Sequence, residues 1–420
     1  MYLFSEVFKE KNKILDFALY MILFGIMQVV YPLFIVENYS YMGYFFHYDF
    51  IKWMLATISV LAFVLVIIKL DNISFFISGL FSIFLLFPNA VLFAFHPLYK
   101  PIIYLYVLIF MFLLWYVFRF SKIKISIPKV YIKESIIDYI LIILGILSIF
   151  PFFLKFGLAF DWKVFLFGKE VYEVRKIANA HNTHLMSYLF SNIVKVLFPV
   201  GMIWFLSRKK YVFFLLFVFF QIYLFMVEGH KSVFLSLPLV LLMFIPSYRT
   251  QMRTILFFTI LLFLFGFFLY LYNGSLIIES ILYRRAFLTP ALLNIMYFDF
   301  FSFHKVYLTH SILSYFIENP YNLSPPFIIG EYFFDNPSMS ANNGFIADGF
   351  ANFGHLGVLF YSLLVVLYFK FFSNLNVSFK YSGLTFIIIY TFLSTALTTM
   401  ILTHGLLLFT ILMWMLGKRN

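Results

Sequence analysis

Residues 254–272 read TILFFTILLFLFGFFLYLY, nineteen residues without a charge, entered through Arg249 and Arg253 and left through Asn273, Gly274 and Ser275. As a helix rising 1.5 Å per residue, such a run is about 28 Å long, which matches the hydrocarbon core of a bilayer. Runs of this kind recur along the chain. About twelve are expected, near residues 14–36, 50–68, 73–95, 101–118, 136–156, 187–206, 211–227, 232–246, 254–272, 356–372, 383–399 and 402–416. The eighth and the last two are short. The fold class expected is an all-α polytopic membrane protein of about 12 transmembrane helices, forming a single integral membrane domain over 1–420.

Composition agrees. Of 420 residues, 64% are hydrophobic and 11% charged, which excludes a soluble globular core. The absence of cysteine excludes disulfides, thiolate catalysis and cysteine-based metal or iron–sulfur sites. The N-terminal MYLFSEVFKEKNK leads into a run too long for a removable leader, so it is read as the first, retained span.

Positive residues set the expected orientation. With the N-terminus inside, the inner segments collect 18 of the 30 basic residues against 6 acids, leaving 12 basic against 12 acidic residues outside. Topology therefore accounts for the whole formal charge of +12. A nucleic-acid partner is not expected, because these charges are scattered over short loops and form no basic groove. Both termini are expected to be cytoplasmic. Two long extracytoplasmic loops remain, about 157–186 and 273–355, and no internal repeat relates the two halves of the chain.

These loops hold the candidate functional residues. If 169–186 is helical, Tyr172, Arg175, Asn179 and Asn182 share a face, a polar stripe suited either to an anionic or sugar ligand or to lipid headgroups. His181 and His184 have a spacing that could hold a metal, but a surface pair is the preferred reading. Glu228, His230 and Lys231 lie at the mouth of a tight hairpin, where ionisable groups serve binding or pair with each other, as Glu228 with Lys231 would. The long loop carries Arg284 and Arg285, whose guanidinium forks match phosphate oxygens. Asp299 sits in YFDFF, where burial among rings would raise its pKa and an ion pair to an arginine would lower it. The loop closes on NNGFIADGFANFGHLG, in which Asn342, Asn343, Asp348, Asn352 and His355 offer hydrogen bonds to sugar hydroxyls between glycines.

The order GHKS, then YRRAFLTPALLNIMYFDFF, then NNGFIADGFANFGHLG running into a span resembles the bacterial oligosaccharide repeat-unit polymerases, the Wzy-type O-antigen and capsule polymerases of the O-antigen polymerase and ligase group. It covers about the second half of the chain. The resemblance implies a glycosyltransferase of the bacterial inner membrane. It would join undecaprenyl-diphosphate-linked oligosaccharides on the outer face, without nucleotide sugar, metal or cofactor, beside a partner protein that regulates chain length. In that role Arg284, Arg285 and Arg175 would hold the diphosphate and Asp299 would take the acceptor proton. His230, Lys231, Asn343, Asp348, Asn179 and His355 would line the sugar site. Related ligases carry a His where this chain has Asn342 and Asn343, so no single-histidine base carries over. A lipid-linked oligosaccharide flippase or other transporter, an O-antigen ligase and a polyprenyl-phosphate glycosyltransferase are the rival readings. The last is disfavoured by the short first outer loop, whose acids Glu37 and Asp49 are not adjacent.

Overall fold

In the computed structural model, which describes residues 2–122, 132–158, 164, 170–311, 313 and 316–417, the chain is all-α, and no strand forms among the described residues. Nine helices among them are long and apolar enough to cross a membrane: Asn12–Met42, Phe50–Ile67, Asn72–Phe95, Pro101–Phe120, Glu134–Phe156, Leu185–Ser207, Tyr211–Glu228, Tyr248–Asn273 and Phe345–Asn374. Two shorter apolar helices, Phe379–Ser394 and Leu406–Leu416, follow. The chain is a multi-pass membrane protein.

Local chemistry fixes where the spans begin and end. Asp49 caps Phe50–Ile67, its carboxylate accepting from the N–H groups of Ile51 at 2.9 Å and Lys52 at 3.1 Å. Gly274 closes Tyr248–Asn273 at φ +70°, a left-handed turn that glycine adopts without strain.

Three expectations change. Residues 232–246 form only Lys231–Val240, with Pro238 inside, followed by a 3₁₀ turn at Leu241–Phe244. The last pair of runs breaks into Ser382–Ser394, Leu397–Leu402 and Leu406–Leu416, so the first interruption falls at residues 395–396, ahead of the expected turn. The segment 273–355 is not a free loop. It carries a π-helix, Glu279–Leu288, continued by the α-helix Thr289–Phe300, in which every residue from Ala291 to Phe298 is buried. Its end is also helical from Phe345, with a kink at Phe353 and Gly354 before the span proper.

Contacts gather the chain into two compact units. The first takes Met1–Lys124, Ser247–Lys370 and Ile389–Thr398; the second takes Ile125–Pro246, Phe371–Ile388 and Thr399–Asn420.

In the first unit Asn72–Phe95 is the central helix: its apolar window is 100% buried, against 22% for Phe50–Ile67, whose surface is left to lipid. Rings fix its neighbours. Phe81 meets Phe110 edge-on at 4.9 Å, Phe93 stacks on Tyr104 at 4.6 Å, and Phe84 stacks on Phe287 of the buried segment at 4.6 Å. At this unit's basic end Asp16, 0% exposed, receives both Arg249 and Arg253, the latter through Nε at 2.5 Å. The remaining guanidinium donors are also used: Arg253 donates to the Asn12 side chain at 2.9 Å, and Arg249 to the carbonyls of Ile68 at 3.1 Å and Leu70 at 2.9 Å.

The second unit repeats the device. Asp138 accepts from Lys210 at 2.5 Å and from the Trp204 indole at 2.7 Å, and Arg208 pairs with Glu134 at 2.7 Å while stacking on the Trp204 ring. Each salt bridge of the described residues joins two groups that the order of spans puts at the same end. An ion pair removed from water is costly to break, since the partner left behind keeps its desolvation penalty. Asp16→Ala strands two guanidiniums and is expected to destabilise the protein by about 3–5 kcal/mol. A thermal unfolding midpoint in detergent equal to that of the parent would contradict the clamp.

Candidate functional site

The buried segment Glu279–Phe300 carries the first group of candidate residues. It packs into the halves of the first unit's spans that lie away from the basic end. Tyr283 donates to the Met27 carbonyl, Phe287 lies against Phe84 and Phe263, and the Asn294 amide donates to Asn89 Oδ1 at 3.3 Å.

Arg284 projects from the π-helical part, half-buried. Its Nη2 donates to Ser280 Oγ at 3.0 Å, its Nη1 meets only the Met42 thioether at 3.3 Å, and its guanidinium lies 4.6 Å above the Tyr39 ring. Its Nε is buried and has no hydrogen-bond partner. No carboxylate pairs with it among the described residues. A guanidinium has five N–H donors, and a thioether is a weak acceptor, so most of this one's hydrogen-bonding capacity is unspent. Beside it, Thr289 Oγ1 donates to the Arg284 carbonyl at 2.9 Å and lies 3.1 Å from the Tyr44 hydroxyl. Burial pushes the Tyr44 phenol up to about 12, against the opposing pull of the Thr289 hydrogen bond and the Arg284 charge, so Tyr44 stays a neutral donor. Arg285 is exposed, whereas Arg284 is half-buried, so consecutive helical positions give the two guanidiniums different surroundings.

Asp299 differs from the expectation. Its side chain is 59% exposed and pairs with Lys100 at 3.3 Å, not with an arginine, and its ring neighbours in sequence do not bury it. Arg284 and Asp299 stand fifteen positions apart on one continuous helix, roughly 20 Å by helical rise. Along that helix the two side chains therefore do not converge on one point.

The glycine-rich string is mostly structural. The Asp348 carboxylate, 5% exposed, accepts from the Leu397 N–H at 2.8 Å and from Asn352 Nδ2 at 2.9 Å, which uses both oxygens. Asn352 Oδ1 in turn accepts from the Leu308 N–H at 2.8 Å, stapling the preceding loop to the helix. Gly354 sits at φ +64° in the kink, over Lys305, whose ammonium lies 3.9 Å from the Phe350 ring and donates to the Phe301 carbonyl. His355 is exposed, with Nδ1 hydrogen-bonded to the Tyr106 hydroxyl at 2.8 Å. Asn343 is buried and its Nδ2 has no partner; its neighbour Gly344 lines a small cavity with Asn89, Asn294 and Leu393. Of the residues expected to line a sugar site in this unit, His355 keeps an exposed face, while Asp348 is consumed by the backbone.

Arg175, Asn179, His230 and Lys231 belong to the second unit. The expected helix over 169–186 is interrupted: Glu170–His181 ends, and Thr183 caps a new helix from His184 by accepting from the Met186 N–H at 3.3 Å. The side chains of Tyr172, Asn179, His184 and Lys231 lie outside the described residues, so the expected stripe is described only at Arg175 and Asn182. Arg175 Nη2 donates to the Gly229 carbonyl at 2.9 Å. Gly229 is indispensable there: at φ +63° a Cβ would come 2.6 Å from the Val171 carbonyl oxygen. Both oxygens of Glu228 accept from Asn182 Nδ2, at 2.9 and 3.1 Å, so an amide answers this carboxylate. His230 packs on Phe190 at 5.1 Å. Burial, helped by the charges of Arg175 and Lys195, pushes its imidazole down to about 4, so it is neutral at physiological pH.

Sequence reasoning missed Glu279 and Lys195. Lys195 had a readable signal, an ionisable residue in the middle of an apolar run. Glu279 is 3% exposed, and its Oε2 has no partner. Burial raises its carboxyl above the ordinary range, offset in part by its own backbone N–H. An acid with a raised folded pKa contributes stability that is fully present below its unfolded pKa and lost as pH rises through the folded value. Glu279→Gln removes that loss. The variant is expected to match the parent's unfolding midpoint near pH 5 and to exceed it near pH 8, and a difference independent of pH would refute this account of Glu279.

Comparison with known proteins finds no matching family model, no matching curated protein and no matching solved structure.

Proposed function

We propose that this chain is a membrane glycosyltransferase that polymerises undecaprenyl-diphosphate-linked oligosaccharide repeat units. It would act on the outer face of a bacterial inner membrane, with both termini cytoplasmic. The observation that carries the reading is Arg284. At the basic end of the first unit the half-buried arginines Arg249 and Arg253 have a buried carboxylate, whereas Arg284, at the opposite end, has none and keeps a buried Nε–H unspent. A half-buried guanidinium without an anion is costly, so its partner is expected from outside the chain. A diphosphate suits it, because parallel N–H donors match two phosphate oxygens.

The chemistry that follows is displacement at an anomeric carbon. The acceptor hydroxyl attacks, the bond from the sugar to the diphosphate breaks, the diphosphate leaves with the electron pair, and the hydroxyl proton passes to the departing diphosphate or to water. Arg284 stabilises the charge that gathers on the leaving group, with Arg285 available from the exposed side. Because the energy resides in the glycosyl diphosphate bond, no nucleotide sugar is required. The basic residues gathered at one end support the orientation, since lysine and arginine are retained on the cytoplasmic side.

The test is the size distribution of lipid-linked and surface glycans in a strain carrying single substitutions at unchanged protein level. Arg284→Ala is expected to abolish the long ladder and leave single repeat units. Arg284→Lys, which keeps the charge but loses the fork, should retain a small fraction of long chains. Asp299→Asn should leave the ladder nearly intact, because an exposed ion pair to Lys100 contributes little. An unchanged ladder in Arg284→Ala would sink the assignment. Long lipid-linked chains that fail to reach the surface in the deletion strain would instead mark a ligase, and single units held on the cytoplasmic side a flippase.

A further inference from the structure

The helix Leu185–Ser207 carries one ionisable residue inside its apolar run, Lys195. It lies ten positions in from Leu185, about 15 Å along the helix axis, and is half-buried. Its ammonium forms no salt bridge and no hydrogen bond among the described residues. Ammonium groups inside a hydrocarbon layer are rare and are retained for a partner.

What surrounds this amine is basic. His230, from the turn after Tyr211–Glu228, feels the charges of both Lys195 and Arg175, and His404, from the turn before Leu406–Leu416, feels that of Lys195. The surroundings are also built. His404 Nδ1 is held by Thr403 Oγ1 at 2.8 Å, Asn192 Nδ2 ties that turn to the span through the Thr403 carbonyl at 3.0 Å, and Arg175 is anchored on Gly229. Glu228, the carboxylate nearest His230 in sequence, is turned onto Asn182. Phe190 of the same span packs on His230 at 5.1 Å, so the turns that carry His230 and His404 both lie beside the Lys195 span, and among the described residues no carboxylate pairs with the amine.

We propose that Lys195, His230, His404 and Arg175 form an anion site within the second unit, and that its ligand is the phosphate of a lipid. A lipid phosphate is preferred to a free one because the amine lies within a span, below the level of the loops, where a lipid carries its own phosphate. A lysine stem also lets the ammonium rise toward headgroup depth. This site does not rest on the reading of Arg284, which belongs to the other unit.

The test uses the full-length protein purified in detergent, with binding followed by native mass spectrometry and by thermal shift. The probes are a polyprenyl monophosphate, the uncharged polyprenol and inorganic phosphate. The parent should bind the polyprenyl monophosphate in preference to the polyprenol. Lys195→Met should weaken that binding by about tenfold or more, the loss of one charge-assisted contact, while Lys195→Arg keeps it. Without lipid, Lys195→Met should unfold no earlier than the parent, because an unpaired amine has been replaced by an apolar chain of similar length. Equal affinity in the parent and Lys195→Met overturns the site. So does a large loss of lipid-free stability in that variant, which would mark Lys195 as structural. Inorganic phosphate competing at the same concentration as the lipid overturns the lipid source.

Discussion

No water reaches the hydrocarbon layer, so a polar group that enters it must find its partner within the chain or bring one from outside. This constraint explains the charge clusters at the basic ends of the two units. Asp16 is completely buried and accepts from two arginines whose remaining donors reach Asn12 and the free carbonyls of Ile68 and Leu70. Those carbonyls close a helix end and would otherwise be orphaned. Asp138 likewise answers Lys210 and the Trp204 indole. The clusters hold helix ends together where aromatic packing alone would leave helices free to slide.

The same constraint gives meaning to the groups that break it. Many buried donors find a partner within the chain, as the Gln221 amide nitrogen does on Val194, Val233 and Ser236 at 2.7–3.0 Å. Against that background Arg284, Glu279 and Lys195 stand out as charged or chargeable groups without an opposite charge. Burial pushes the Glu279 carboxyl toward its neutral form. A guanidinium cannot follow, because its pKa lies too high for burial to neutralise it. Arg284 therefore points to an anion from outside more strongly than a buried carboxyl would point to a cation.

The long apolar runs were legible because bilayer thickness sets a length that sequence can be measured against. Nine of them recur as long helices, and Phe50–Ile67 and Tyr248–Asn273 fall within a few residues of their expected limits. The segment 273–355 was harder to read. Its arginines, acids and prolines suggest an exposed loop, yet Ala291–Phe298 is buried throughout because its side chains face other helices, a tertiary fact that periodicity alone does not carry. Asp348 shows the same limit at the scale of one residue. An aspartate in a glycine-rich string reads as a ligand group, and only the position of the Leu397 N–H, 49 residues on, turns it into a cap. Asp299 fails for the opposite reason, since rings adjacent in sequence need not surround a side chain at a helix terminus.

Depth ties the chemistry to the fold. A lipid diphosphate is confined to the headgroup layer, because its chain is held in hydrocarbon and its charge in water. Arg284 lies against Tyr39 and Met42, the last turn of the first long helix, which is that depth at the end away from the basic cluster. A guanidinium on a mobile loop could reach the same level but would spend ordering free energy on each capture. Set on a helix whose neighbouring rings, Tyr283 and Phe287, are packed against the spans, Arg284 would be held in place before an anion arrived. Preorganised charge of this kind favours a leaving group whose negative charge grows during reaction over a ligand whose charge does not change. Burying the segment Glu279–Phe300 would thus serve transfer from a lipid diphosphate better than simple adhesion to headgroups, for which an exposed arginine such as Arg285 would be enough.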